Sequence, residues 1–182
     1  MSEFAAWRRL DRPGRDVALL RPEGDGWLLQ GAAGFDHELG PATVAYQVQV
    51  DARLETKRGI VSGFLGEAMV RHEILRDNRG WRLNGVLVQG LQHLLDLDYG
   101  FTPATNVLQL MRMGLAPGER ADLPVTWFDL DSGSLIELPQ SYERRGEASY
   151  WYEAPTVPYQ ALLEIAPNGF VQSYPGLWRL VG

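Results

Sequence analysis

The sequence predicts a mainly β fold: a strongly curved antiparallel sheet or open barrel of roughly a dozen strands, with one or two short helical turns. Three observations carry this. Short apolar runs are punctuated by 20 Gly and 11 Pro, the residues that set turns. The run from Thr43 to Asp51 alternates cleanly, with Val44, Tyr46, Val48 and Val50 on one face and Thr43, Ala45, Gln47, Gln49 and Asp51 on the other. That is the signature of an antiparallel strand with one buried and one wet face. Long helical periodicity is absent. So many strands twist, and twist makes a sheet curl or close. The concave face must then be filled by side chains, a plug or a ligand.

Taken in order, Phe4 to Leu10 and Val17 to Arg21 read as strands joined at Arg12-Pro13-Gly14. Glu23-Gly24-Asp25-Gly26 is the next turn, and Trp27 to Ala33 follows as a strand. After Thr43–Asp51 come Leu54 to Val61 and Ala68 to Arg76, the turn Asp77-Asn78-Arg79-Gly80, and Trp81 to Val88. Beyond a central stretch the pattern resumes at Asp122 to Leu130, Ser134 to Leu138, Tyr142 to Arg145 and Ser149 to Glu153. Tyr159 to Ile165, the turn Pro167-Asn168-Gly169, Phe170 to Tyr174 and Leu177 to Val181 complete the chain. In Tyr150-Trp151-Tyr152, alternation sends both tyrosines to one face and Trp151 to the other. Such aromatics are ordinary core, or they stack on a sugar face or line an acyl groove.

The 182 residues fit a single β domain over 1–182. Leu95-Asp96-Leu97-Asp98 is echoed by Phe128-Asp129-Leu130-Asp131, as two similar half-sheets would give, although four residues do not establish a duplication. A net charge of −6 argues against a nucleic-acid partner, which wants a basic face. Without cysteine there is no disulfide framework and no thiolate metal site. No apolar run reaches the length of a transmembrane segment. Met1 to Arg15 carries arginines and no signal-like apolar region, so a cytoplasmic location is expected. The motifs of nucleophile elbows, zinc proteases, phosphate loops and dinucleotide folds are all missing. No catalytic residue, metal or cofactor is called for, and nothing specifies an oligomeric state.

Leu94 to Arg112 is where acidic, small polar and basic residues crowd together in an apolar context. Alternation puts Asp96 and Asp98 on one strand face and Leu95 and Leu97 on the other. Thr102-Pro103 reads as a turn or helix start. As a helix, the following run places Thr105, Gln109 and Arg112 on one polar stripe. As a strand, it places Leu108, Leu110 and Arg112 together. The favoured reading is one helical turn opening into an extended run. The two aspartates suit capping, a cation or sugar hydroxyls. As a carboxylate pair they would also suit glycoside hydrolysis. His93 completes a His-x-x-Asp-x-Asp spacing, but alternation turns it away from both aspartates.

The run Asp96-Leu97-Asp98-Tyr99-Gly100-Phe101-Thr102-Pro103-Ala104-Thr105-Asn106, with Arg112 behind it, resembles the "putative glycolipid-binding" family of bacterial proteins, formerly a domain of unknown function. Further matches are Asp51 with Arg58, Gln140-Ser141-Tyr142, Gly169-Phe170-Val171 and Tyr174-Pro175-Gly176-Leu177-Trp178. They extend over most of the chain. The resemblance implies a fold similar to lipoprotein localisation factors, an unclosed barrel around a hydrophobic cavity, and a glycolipid or other amphiphile as ligand of a carrier or sensor. One departure follows Asn106. Where the family tends to have a Pro, an apolar residue and two arginines, here stand Gln109, Leu110, Met111 and Arg112, with one basic position gone. The expected ligand-binding residues are Arg58, Asp96, Asp98, Thr102, Thr105, Asn106, Arg112, Gln140, Tyr142 and Tyr174, the acyl chain inside and the polar head near Arg58, Asp96, Asp98 and Arg112. The alternatives are a glycan hydrolase using Asp96 and Asp98, or a ligand-free interaction module.

Overall fold

The computed structural model describes residues 1–181. Eight consecutive strands form a meander: β1 (Glu3–Arg9), β2 (Gly14–Glu23), β3 (Gly26–His37), β4 (Gly40–Val50), β5 (Thr56–Leu65), β6 (Ala68–Asp77), β7 (Gly80–Leu83) and β8 (Val86–Val88). The chain then crosses the interior as β9 (Leu97–Tyr99) and the helix α1 (Asn106–Met113), adds an edge strand β10 (Arg120–Asp122) to the large sheet, and returns to the interior as β11 (Val125–Asp129) and β12 (Ser134–Leu138). A second meander follows: β13 (Ser141–Gly146), β14 (Ser149–Ala154), β15 (Tyr159–Ile165), β16 (Val171–Tyr174) and β17 (Trp178–Leu180).

Antiparallel pairing of β17 with β1, at Trp7 opposite Leu180, joins the two meanders into one sheet of 14 strands from β10 to β8. Trp7 Nε1 reinforces the seam by donating to the Val171 carbonyl at 2.7 Å. The sheet is curved and does not close, because no ladder links the edge strands β8 and β10. The alternation in β4 is realised as expected, with Val44, Tyr46, Val48 and Val50 buried. Tyr150 and Tyr152 likewise point inward.

Where element boundaries differ from expectation, local chemistry explains them. The run Trp81–Val88 is two strands, because Asn84 and Gly85 adopt φ of 50° and 83° and make a tight hairpin. Asp122–Leu130 is also divided, at Leu123-Pro124, since proline lacks the N–H that a ladder needs. Strand β2 begins earlier than expected and takes in Asp16. The chain after Asn106 is a full eight-residue helix with no extended continuation. It ends at Gly114, whose φ of 55° is left-handed and whose N–H returns to the Leu110 carbonyl.

The concave face is not an open oily channel. A small sheet in the order β12-β11-β9 packs into it, with β9 parallel to β11. The Thr56 N–H donates to the Leu95 carbonyl, and the Leu97 N–H to Thr56 Oγ1. Tyr99 and Phe101 stack at 5.4 Å and meet the Tyr46 ring edge-on. Phe128 reaches His72 on β6, at 5.0 Å between rings. The chain thus supplies its own plug, and burial of these aromatic groups provides much of the cohesion.

Candidate ligand-binding site

Inside the curve, α1 lies against β9 with its polar side turned inward. The predicted stripe of Thr105, Gln109 and Arg112 is real, yet it faces the two aspartates and not solvent. Arg112 clamps Asp96 with three hydrogen bonds, Nη2 to Oδ2 at 2.5 Å and Nε to both oxygens at 2.9 and 3.1 Å. Asp96 is 2% exposed, so this is an ion pair shielded from water. Gln109 Nε2 donates to Asp98 Oδ2 at 2.7 Å, and Thr105 Oγ1 adds a longer contact of 3.3 Å to the same oxygen.

The network continues into the second meander. Gln140 Nε2 donates to Gln109 Oε1 at 2.8 Å, the Tyr142 hydroxyl donates to the same oxygen at 3.0 Å, and Tyr152 donates to Gln140 Oε1 at 2.8 Å. Asn106 Nδ2 donates to the Tyr142 hydroxyl at 2.7 Å. Seven of the ten expected residues are therefore brought together: Asp96, Asp98, Thr105, Asn106, Arg112, Gln140 and Tyr142. Asp96 and Arg112 pair with each other, while Asp98, Thr105, Asn106, Gln140 and Tyr142 are joined through Gln109 and its partners.

A cavity of about 250 Å³ opens beside this network, between the small sheet and β14–β17. Its polar wall includes Asp98, Thr102 and Asn106, and its remaining wall is mostly aromatic: Tyr99, Trp127, Tyr152, Tyr159, Tyr174 and Trp178. Both Asp98 hydrogen bonds fall on Oδ2. Among the described residues, Thr126 Oγ1 alone is a sealed side-chain polar atom without a partner, so the unbonded Asp98 Oδ1 retains access to the cavity. Burial, with the neighbouring Asp96 charge adding to it, pushes the Asp98 carboxyl up to about 6. Tyr174 contributes its ring, 5.7 Å from Tyr152 and 5.3 Å from Tyr159.

Thr102 belongs to a second polar knot. Its hydroxyl donates to Asp16 on β2, the Tyr46 hydroxyl also donates to Asp16, at 3.0 Å, and the Ala104 N–H donates back to Thr102. Asp16 is 1% exposed. Among the described residues no cation faces it, and desolvation raises its pKa to about 7. This knot pins the loop of the cavity floor to the large sheet.

Arg58 is not part of either group. It stands on the outer face of β5, opposite Gln49, and its guanidinium pairs with Glu73 at 2.6 Å, both side chains close to half exposed. The aspartate pair does not share the cavity, because Asp98 lines it whereas Asp96 is enclosed by Arg112. His93 turns to Glu137 on the surface, at 3.4 Å.

Asp16 and the wall aromatics Trp127 and Tyr159 were not singled out by the sequence reading, whereas Gln109 and Trp178 were named in it without being counted among the ligand-binding residues. Asp16 carries a legible signal, an acidic residue in phase with Ala18 and Leu20 on the inner face of β2. Trp127 carries none. It reaches the cavity because Gly100 leaves room, a Cβ there falling 2.5 Å from Trp127 Nε1. Next to the cavity lies an open cleft of about 770 Å³ that shares Tyr159 with it.

Compared with known proteins, the chain matches the model of a family described as "Putative glycolipid-binding" over residues 4–180. It is similar to a solved crystal structure of a DUF1089 family protein from Pseudomonas aeruginosa. The two are 25% identical with a TM-score of 0.78, the match covering 90% of this chain and 91% of that one. No curated protein matches.

Proposed function

Since the chain belongs to the putative glycolipid-binding family, we propose that it binds a glycolipid by the head group, in the aromatic cavity beside Asp98. The observation that carries this reading is one carboxylate oxygen left without a protein partner on a cavity in whose wall four tyrosines and two tryptophans stand. Sugar rings present apolar C–H faces and hydroxyl edges, and both are matched by such a wall: rings to stack on, Asp98 Oδ1 and Asn106 to meet hydroxyls.

The volume restricts what enters. About 250 Å³ lies below the range of roughly 300–1,000 Å³ common for small-molecule sites, so the cavity takes the leading ring of a head group and not an acyl chain. The rest of the amphiphile would leave along the adjoining cleft, whose wall carries Pro124, Pro139, Pro155, Pro158 and Tyr159. A carrier and a sensor would both begin with this binding step. A hydrolytic pair would need two carboxylates on the substrate, and Asp96 is engaged on both oxygens by Arg112.

The test is native mass spectrometry and calorimetry on delipidated protein with short-chain glycosides. Binding is expected for wild type, weakened about tenfold by Trp127→Leu or Asp98→Asn. Arg58→Ala is expected to bind as wild type does. Absence of binding across a broad set of glycosides would overturn the reading.

A further inference from the structure

The cavity and its approach are electrostatically one-sided. Among the described residues, Asp98 is the only charged one on the cavity wall. The residue is 8% exposed and its carboxylate is held by neutral donors, Gln109 and Thr105, so among the described residues no cation is bonded to it. The adjoining cleft bears Asp122, Glu137 and Glu153 against Arg120 alone, and that arginine is already paired with Glu153 at 2.6 Å. Arg9 stacks on the Trp178 ring, 5.1 Å from its centroid, but its guanidinium is taken by Asp11.

Aromatic rings supply the second half. Tyr152, Tyr159 and Tyr174 incline to one another by 44° to 71°, giving walls set at angles and not a single flat platform. Ring faces attract cations through their quadrupole, most strongly where water is excluded. A buried carboxylate without a counter-ion, set among aromatic rings and beside an acidic cleft, also repels anions.

Resting on the head-group reading above, we infer that the cavity selects a positively charged head group, a protonated amino sugar or another ammonium, over neutral sugars and against phosphate or uronate groups. The ammonium would approach Asp98 Oδ1 while its carbon substituents face the rings. Burial pushes the Asp98 carboxyl up to about 6, which leaves it ionised at neutral pH and ready to accept that charge. The same chemistry could come from a lipid-linked or a free amino sugar.

Calorimetry on delipidated wild-type protein at pH 7 and low salt distinguishes these. The probes are octyl glucoside, octyl 2-amino-2-deoxyglucoside, octyl glucuronide, octyltrimethylammonium and free glucosamine. The octyl amino sugar and octyltrimethylammonium are expected to bind at least about tenfold tighter than octyl glucoside, with the glucuronide weakest. In Asp98→Asn the cationic and neutral probes should converge. Equal affinity of glucoside and amino glucoside in wild type, or tight glucuronide binding, would overturn the charge preference while leaving head-group binding intact. Failure of every glycoside would overturn both. Glucosamine binding as tightly as its octyl glycoside would support the ammonium preference and remove the lipid. Because the decisive comparison is among ligands on the wild-type protein, it does not depend on the variant folding.

Discussion

Gln109 Nε2 donates to Asp98 Oδ2 at 2.7 Å, so the buried carboxylate at the cavity wall is oriented by a helical amide and not by a cation. The same amide accepts from Gln140 and Tyr142 through its oxygen. One side chain thus couples α1, β9 and the second meander. Gln109→Leu strips a partner from each of these groups, and a loss of about 3 kcal/mol is expected in urea unfolding. Gln109→Glu should be worse at neutral pH than at pH 4, because it sets a second carboxylate against Asp98.

Arg112 and Asp96 form a different kind of contact, a bidentate ion pair with its carboxylate sealed from water. Arg112→Ala leaves that charge unpaired, and about 3–5 kcal/mol should be lost. Arg112→Lys is expected to recover only part of it, since an ammonium cannot make the planar two-point contact. Chemical denaturation of both variants, with Asp96→Asn to close a double-mutant cycle, measures the coupling.

Asp16 makes stability depend on pH in an unusual direction. Burial raises its native pKa to about 7, against an ordinary value of 3.8. Below 3.8 it is protonated in both states, and its stabilising contribution is fully present. As pH rises toward 7 the unfolded chain has already released the proton while the native state still holds it, so stability falls; above about 7 the effect levels off. Wild type should therefore lose stability relative to Asp16→Asn between pH 4 and 7, by on the order of 3 kcal/mol. Parallel thermal melts across that range would show it, and a flat difference would dismiss the role assigned to Asp16.

Gly100→Ala tests the cavity wall without touching a polar group. The added Cβ would meet Trp127 at 2.5–2.8 Å across its indole, so the ring must move. Ligand affinity should fall about tenfold, the worth of one aromatic contact, with a smaller effect on the melting temperature. Trp127 emission should shift as the indole leaves its place.

How far the sequence carried depends on the kind of information each feature needed. Alternation in Thr43–Asp51 and the Gly and Pro punctuation determined a curved antiparallel sheet, because side-chain direction in a strand is a local property with period two. The central run was legible as polar chemistry in an apolar setting, and the stripe of Thr105, Gln109 and Arg112 was legible as a helix face. Whether that stripe met water or protein was not, because the answer lies on β9, β13 and β14, remote in sequence. The same holds for Arg58, whose pairing with Glu73 on the outer face depends on the β5–β6 register. Tertiary structure alone decided that the chain fills its own concavity, that Asp96 and Asp98 part company, and that six aromatics from separate elements line the cavity beside one unpaired carboxylate oxygen. Those outcomes rest on which distant segments share the interior once the sheet has curled, and no local pattern of residues encodes that choice.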